Sequence, residues 1–328
     1  MPEEPNDPEP PQEASIIATV LAHCPPLGRH RPPVHPAAVP GDDAALIQAG
    51  QVVTVDIMVE GVHWDRRCEA EDVGAKLVAV NASDIAAMGC RPTWALLGLS
   101  LPASIPRAWV DAFARGLGAG LARCGAVLVG GDTTGSTGPI TLSLTMAGQA
   151  GTGQGDPVIA RSGARPDQDI WVSGTLGAAA AGFFDDDPAG LAWWRRPEPP
   201  LELGPRLAQA GLASAMMDLS DGLSADLARL CAASGLGAQV DPSLLPLHES
   251  LDPQDPRALS QAVAFGEDYQ LLFTASPAAR DELLDLGRSL GLRLTRIGQT
   301  TARTALLFGQ QGWPAPLFSH FPEPGVPR

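Results

Sequence analysis

A chain of 328 residues, 45% hydrophobic and 18% charged, has the make-up of an ordinary globular protein with room for two domains. Its formal net charge of −15 argues against nucleic acid or an anionic membrane as partner. No apolar run reaches the eighteen or so residues of a membrane helix. Residues 1–13 are acidic and proline-rich, lacking the basic start and apolar core of a secretory leader; they read as a disordered tail, and the expected location is the cytoplasm. Cys24, Cys68, Cys90, Cys124 and Cys231 are scattered, with no C-x-x-C pair or nearby histidine cluster, and read as reduced thiols.

After an irregular Pro- and His-rich lead-in at 24–40, strand-like and helix-like segments alternate. Val52–Val59 has a strand pattern. Ala70–Met88 has helical spacing through Val73, Leu77, Val80 and Ile85. Trp94–Leu101 reads as a strand, and Pro106–Cys124 as a helix that starts after a proline and stops at Gly125. Ala126–Val129 and Ile140–Gly148 read as strands, and the Gly/Asp-rich loop at 151–157 is the candidate boundary between 14–150 and 151–328. Beyond it come a strand at Asp169–Ser173, a helix after Gly177, a proline-broken stretch from Pro188 to Pro205, a helix at Ser224–Ser234 and a strand at Phe265–Thr274. The expected fold class is α/β, in two halves.

Six acidic clusters stand beside glycines or at the ends of these segments: Gly41-Asp42-Asp43, Thr54-Val55-Asp56, Asn81-Ala82-Ser83-Asp84, Gly130-Gly131-Asp132-Thr133-Thr134, Asp218-Leu219-Ser220-Asp221-Gly222 and Gly266-Glu267-Asp268-Tyr269. Any one of them is also ordinary turn chemistry. Asn81 and Asp84 are harder to read that way: they share a face of a helix that is apolar around them. A carboxylate there is costly unless it is paired or binds a cation. Lys76, the only lysine in the sequence, lies two turns upstream. The shortage of cations points to a metal, and oxygen donors without Cys or His suit Mg²⁺. A P-loop and the protein-kinase motifs are absent.

The blocks V-P-G-D-D-A-A-L, V-T-V-D-I-M-V-E-G-V-H-W, K-L-V-A-V-N-A-S-D-I-A-A-M-G-C-R-P, L-V-G-G-D-T-T, A-R-S-G-A-R-P, M-D-L-S-D-G-L-S-A-D-L and F-G-E-D-Y-Q-L-L-F-T, in this order, resemble the thiamine-monophosphate kinase family. That family sits in a wider superfamily with aminoimidazole ribonucleotide synthetase. The resemblance implies a two-domain α/β fold, with an N-terminal mixed sheet that pairs with its twin in a homodimer and a C-terminal α/β domain. It implies ATP as co-substrate, thiamine monophosphate as acceptor, and several Mg²⁺ ions held by Asp43, Thr54, Val55 (through its backbone carbonyl), Asp56, Asp84, Asp132, Asp218 and Asp221. Gly131, Asp132, Arg161 and Ser220 fall on nucleotide-contact positions, and His63, Glu267 and Phe318 on acceptor-contact positions. No catalytic side-chain base is implied, and transfer is direct and in line. The chain departs from the family pattern at Val55, at Val39-Pro40 and at Ala114, near the adenine.

Two other readings stand beside this one: another ATP-using synthetase of the superfamily, and a non-catalytic nucleotide-binding paralogue. Against the first, Cys24 is followed by two prolines and not by a glycine-rich loop, and the sequence ends Pro327-Arg328 where a hydrogenase-maturation protein would end in a cysteine. Against the second, a scaffold has no use for so many unpaired carboxylates.

Overall fold

The computed structural model describes residues 41–48, 50–151, 158–252, 254–310 and 312–317, with a few helical positions between 16 and 22. The expected tail, the lead-in, most of the 151–157 loop and Phe318 lie outside the described residues.

Two sheets organise the chain. The first is built from β1 (Ala45–Gln48), β2 (Gln51–Val59), β3 (Arg91–Pro102), β4 (Val127–Ser136) and β5 (Thr141–Gln149) in the order β1-β2-β5-β3-β4. All neighbours run antiparallel except β3 and β4. Period-two alternation decides what each strand offers. Val52, Thr54 and Met58 are buried, while Val55 and Ile57 between them are exposed. Opposite on β5, Leu142, Leu144 and Met146 fill the same buried face.

That face is covered by α1 (Ala70–Ala87), which α2 (Arg107–Cys124) packs against. The sequence boundaries hold closely here: α2 is entered through Pro106 and closed by a left-handed Gly125. Helix α1 is buried almost all round, because α2, the first sheet, β7 (Ala215–Asp218) and α5 (Leu203–Ala210) all touch it. Its polar residues Lys76, Asn81 and Ser83 are therefore interior.

The second sheet has the order β11-β8-β10-β6-β9-β7, using β6 (Asp169–Ser173), β8 (Gly237–Val240), β9 (Leu271–Ala275), β10 (Leu294–Thr301) and β11 (Leu306–Phe308). Every residue of β6, β7 and β9 is buried, so both faces are covered. On one side α6 (Leu223–Ser234) packs Leu223, Leu227 and Leu230 onto Ile170, Val172 and Met217. On the other, α5 and α8 (Arg280–Leu290) contribute Leu203, Leu207 and Leu283 against Trp171, Met216 and Phe273. The remaining helices are α3 (Ala178–Asp185), α4 (Pro188–Arg195) and α7 (Pro256–Ala264). Ala179 and Trp194, from α3 and α4, join the first core and tie the two halves together.

Three segments differ from their expected form. Pro188 begins a helix instead of breaking one: it sits at the first helical position after Asp187, whose side chain accepts from Gly190 N–H. The strand expected at Phe265–Thr274 starts only at Leu271, because Gly266, Glu267 and Tyr269 have positive φ of 86°, 63° and 48° and form a tight turn. The strand expected to stop at Val129 runs on to Ser136, since β3 pairs with it through the whole G-G-D-T-T block.

Candidate active site

The seam between the two sheets collects carboxylates from four places in the sequence. Asp43 precedes β1, Thr54 and Asp56 lie on the inner face of β2, Asp84 sits in the last turn of α1 and Asp218 ends β7. Carboxylate oxygens of Asp43, Asp84 and Asp218 all lie within 4.8 Å of one another. Around them the protein supplies neutral donors. Thr54 Oγ1 lies 2.6 Å from Asp84 Oδ2 and 3.1 Å from the Asp43 carbonyl, and Ser83 Oγ donates to Asp218 Oδ2 at 2.6 Å. Asn81 donates to the Leu77 carbonyl at 2.8 Å, and its Oδ1 accepts the Asp56 N–H at 3.3 Å, which fastens β2 to α1 behind the acids. Asp43 Oδ2 is buried with no hydrogen-bond partner.

Like charges packed this closely in the interior disfavour ionisation. Burial, together with Asp56, Asp218 and Asp43, pushes Asp84 well above the usual carboxylate range, and burial with Asp43 does the same to Asp218. Burial and Asp43 raise Asp56 to about 6. Burial raises Asp43 too, although Arg161 works against it. The four carboxylates are thus short of positive charge. A hard divalent cation fits both the donor chemistry and the orphaned oxygen.

One cation belongs to the protein. Arg161 pairs with Asp43 at 2.7 Å and donates to the Gly41 carbonyl at 2.9 Å, while its own N–H donates to Asp42 at 2.8 Å. The guanidinium stays partly exposed, and its Nε is buried without a partner. Asp221 stands next to the trio in sequence but is ion-paired to Arg229, which also holds the fully buried Asp226 at 2.8 Å. Burial and Asp221 raise Asp226 to about 8 against the pull of Arg229. The carbonyl of Ser220 accepts the Glu267 N–H at 2.9 Å.

Three expected site residues are placed apart from this convergence or turn their side chains away from it. Asp132 lies on β4, an edge strand exposed along its length, and its Oδ1 accepts its neighbour's N–H at 2.9 Å. Among the described residues it is outside the group that could share an ion with Asp43. Gly131 has a packing reason to be glycine: a Cβ there would sit 2.0 Å from the Leu97 carbonyl oxygen of β3. Val55 points its side chain to the exposed outer face, so only its backbone could serve the site.

On the second side of the seam, His63 and Glu267 come together through Lys76. The Lys76 ammonium pairs with Glu267 and donates to the His63 carbonyl at 3.1 Å. Val59 N–H donates to His63 Nδ1 at 3.1 Å, and Tyr269 OH donates to Glu267 Oε1 at 3.2 Å. The strained turn that carries Glu267 is held by Asp268, whose two oxygens each accept the Gly177 N–H at 3.0 Å ahead of α3. Burial raises Asp268 to about 7 despite those backbone donors. Positive φ at non-glycine residues costs roughly 1–3 kcal/mol each and is found where surrounding contacts enforce it. Ser83, Lys76, Asp226 and Asp268 were without a role in the sequence reading. For Lys76 the signal was there, as a lone lysine in an apolar helix.

The chain is similar to known proteins over most of its length. Residues 41–150 match the family described as AIR synthase related protein, N-terminal domain, and residues 156–307 its C-terminal domain. The chain is 36% identical over 306 residues to the thiamine-monophosphate kinase of Salmonella typhimurium, covering 87% of this chain and 92% of that one. The solved thiamine-monophosphate kinase from Stenotrophomonas maltophilia superposes with a TM-score of 0.73 at 40% identity, covering 83% of this chain and 90% of that one. AaThiL complexed with AMPPCP and TMP superposes with a TM-score of 0.77 at 28% identity, covering 87% and 92%.

Proposed function

This chain belongs to the thiamine-monophosphate kinase family, and we propose that Asp43, Asp84 and Asp218 hold the divalent cations with which it moves the γ-phosphoryl of ATP onto thiamine monophosphate. It is an ATP-dependent kinase whose product is thiamine diphosphate. The observation that carries the metal reading is the unpartnered Asp43 Oδ2 beside the carboxylates of Asp84 and Asp218, all within 4.8 Å of one another. Thr54, the Val55 carbonyl, Asp56 and Asp221 complete the proposed set, and Asp132, which lies apart on β4, is proposed to serve a separate ion. A Mg²⁺ bound there supplies countercharge for the phosphate oxygens.

The side chains divide the rest of the work. A phosphate monoester has a second pKa of about 6 and is largely dianionic at neutral pH, so the acceptor needs no general base. What opposes it is repulsion, about 4 kcal/mol per unit charge pair at ~4 Å and an effective dielectric of ~20. Arg161, fixed by Asp43 and Gly41, contributes permanent positive charge on the ATP side, where Gly131, Asp132 and Ser220 are the other proposed nucleotide contacts. His63, Glu267 and Phe318 form the acceptor side. Val59 N–H occupies the His63 Nδ1 lone pair, which suits a binding role better than a basic one. Transfer is direct and in line, without a phosphoenzyme.

The first sheet supports a homodimer. Val55, Ile57, Leu96, Val127, Leu128 and Val129 are exposed apolar residues on its strands, more than a solvated sheet face needs. We also take 14–150 and 151–328 as the two domains. No helix among the described residues is long and apolar enough to cross a membrane. Among the described residues Cys68, Cys90, Cys124 and Cys231 are free thiols, which suits the cytoplasm.

The test is direct. Purified protein with ATP, Mg²⁺ and thiamine monophosphate is scored for ADP and thiamine diphosphate in equal amounts, with free thiamine as a parallel acceptor. Full turnover in excess EDTA would overturn the metal assignment. Comparable phosphorylation of free thiamine would overturn the choice of acceptor.

A further inference from the structure

Lys76 is the only lysine in the chain, and it is spent in the interior: its side chain is 1% exposed in the middle of α1. Two of its contacts reach the acceptor side of the seam, and a third is with a core tryptophan. The ammonium pairs with Glu267, donates to the His63 carbonyl at 3.1 Å and lies 4.8 Å above the centroid of the Trp194 ring. Stability does not account for such a pair. Replacing a buried ion pair by apolar groups of similar size is often neutral or stabilising. The chain also maintains a backbone turn at Gly266–Tyr269 with three left-handed residues, pinned by the Glu267 N–H on Ser220 O at 2.9 Å and the Tyr269 N–H on Leu219 O at 2.8 Å. The turn fixes the Glu267 backbone, and Lys76 with Tyr269 fixes the carboxylate itself.

We propose that Lys76 is a positioning residue for acceptor recognition: it aims the Glu267 carboxylate and anchors the Val59–His63 turn, so that the two groups meet the organic part of thiamine monophosphate as one unit. This rests on the reading that Glu267 and His63 are on the acceptor side. Lys76 itself need not touch the substrate. Its ammonium has one donor on the His63 carbonyl and one on Glu267, and its aliphatic stem is covered by the helix packing. Because the carboxylate is already paired, Glu267 recognises the acceptor through an oriented oxygen and not through an isolated negative charge.

The test compares Lys76→Met, Lys76→Arg, Glu267→Gln and the Lys76→Met/Glu267→Gln double variant in steady-state kinetics, with each substrate varied in turn. The expected result is a rise of about tenfold in KM for thiamine monophosphate in Lys76→Met, with KM for ATP within about twofold of wild type. The double variant should be no worse than the worse single one, since both remove the same aimed oxygen. Partial recovery in Lys76→Arg, which restores a cation, completes the pattern. A normal acceptor KM in Lys76→Met beside a raised one in Glu267→Gln would overturn the role of Lys76 and leave the acceptor site standing. Normal values in both would overturn the acceptor assignment of Glu267 itself. Effects that multiply in the double variant would show Lys76 acting independently of Glu267, and also overturn the proposal.

Should Lys76→Met fail to fold, the wild-type protein decides. Grown with ¹³C-lysine it gives a single lysine side-chain spectrum. The Cε signal should move when thiamine monophosphate is added and stay in place with AMPPCP alone. A signal unmoved by saturating acceptor rejects the proposal.

Discussion

Two buried aspartates show how differently this protein treats the same side chain. Asp169 at the start of β6 has no exposed side-chain surface, and it is met by two arginines, Arg280 at 2.6 Å and Arg296 at 3.4 Å. Burial alone would raise its pKa, but the two guanidinium groups outweigh burial and hold it below the usual range. Asp218 at the end of β7, in the same sheet, is equally buried, yet its nearest charged groups are other carboxylates, and its pKa is pushed well up. In the first case the countercharge belongs to the fold. In the second the immediate neighbours are acids, the pattern expected of a binding site and not of a structural ion pair.

The sharpest way to break this contrast is to neutralise one member of each kind. Asp84→Asn should lower kcat/KM by about 10²–10³-fold, the usual loss on removing one electrostatic stabiliser of a transition state. The melting temperature without metal should hold or rise, because one repelling carboxylate is gone. Asp169→Asn should do the opposite, leaving the turnover of folded protein near normal. Its stability cost should be about 2 kcal/mol, discounted because Arg280 and Arg296 are partly exposed, or a few degrees in Tm. Paired activity and melting measurements check both. An active Asp84→Asn, or an inactive but fully stable Asp169→Asn, would reverse the distinction.

The next effect is in pH. Asp56, Asp268 and Asp226 have folded-state pKa values raised to about 6, about 7 and about 8. A raised acid binds its proton more tightly when folded, so its stabilisation is complete below the unfolded value of ~4 and is lost as pH rises through the folded value. In EDTA, Tm should therefore fall by several degrees between pH 5 and pH 8.5. Mg²⁺ needs the ionised carboxylates, so the rise in Tm that it produces should be larger at pH 8 than at pH 6. It should leave behind the part of the fall that belongs to Asp268 and Asp226, neither of which is in the proposed metal set. Differential scanning fluorimetry with and without Mg²⁺ reads this. A larger Mg²⁺ effect at pH 6 would place the ion away from these acids.

The sequence could expose the trio but not the contrast. The strand pattern of Val52–Val59 and the spacing of Asn81 and Asp84 on an apolar helix both survive in the structure, because short-range sequence decides local form. That Asp169 is satisfied within the fold was not legible, since the arginines that pair with it lie 111 and 127 residues further along. Asp132 sat in a block as acidic and glycine-rich as the others, and only strand pairing shows that β4 is an exposed edge. The turn at Gly266–Tyr269 was hidden by Phe265 before it and Leu271, Leu272 and Phe273 after it, whose apolar run outweighed the turn residues between them. Lys76 was visible as a solitary cation, and its partner Glu267 lies 191 residues away.

Between the two extremes stands the Asp221–Asp226–Arg229 group, where one arginine serves two carboxylates. Arg229 lies 43% exposed, so its attraction is screened and modest. If Asp221 is a metal ligand, Arg229 and the incoming ion compete for it. Arg229→Gln should then lower the Mg²⁺ concentration for half-maximal thermal stabilisation by about threefold, equivalent to roughly 0.7 kcal/mol. It should also lower Tm in EDTA by a few degrees at pH 8.5, because the buried Asp226 loses the group that favours its ionised form. At pH 5.5, where Asp226 keeps its proton, that Tm loss should shrink. A Mg²⁺ titration by thermal shift on the wild type and the variant separates the possibilities. A higher Mg²⁺ requirement in Arg229→Gln would mean that the arginine organises Asp221 for the ion instead of competing with it, and the group would then belong with the binding acids and not with Asp169.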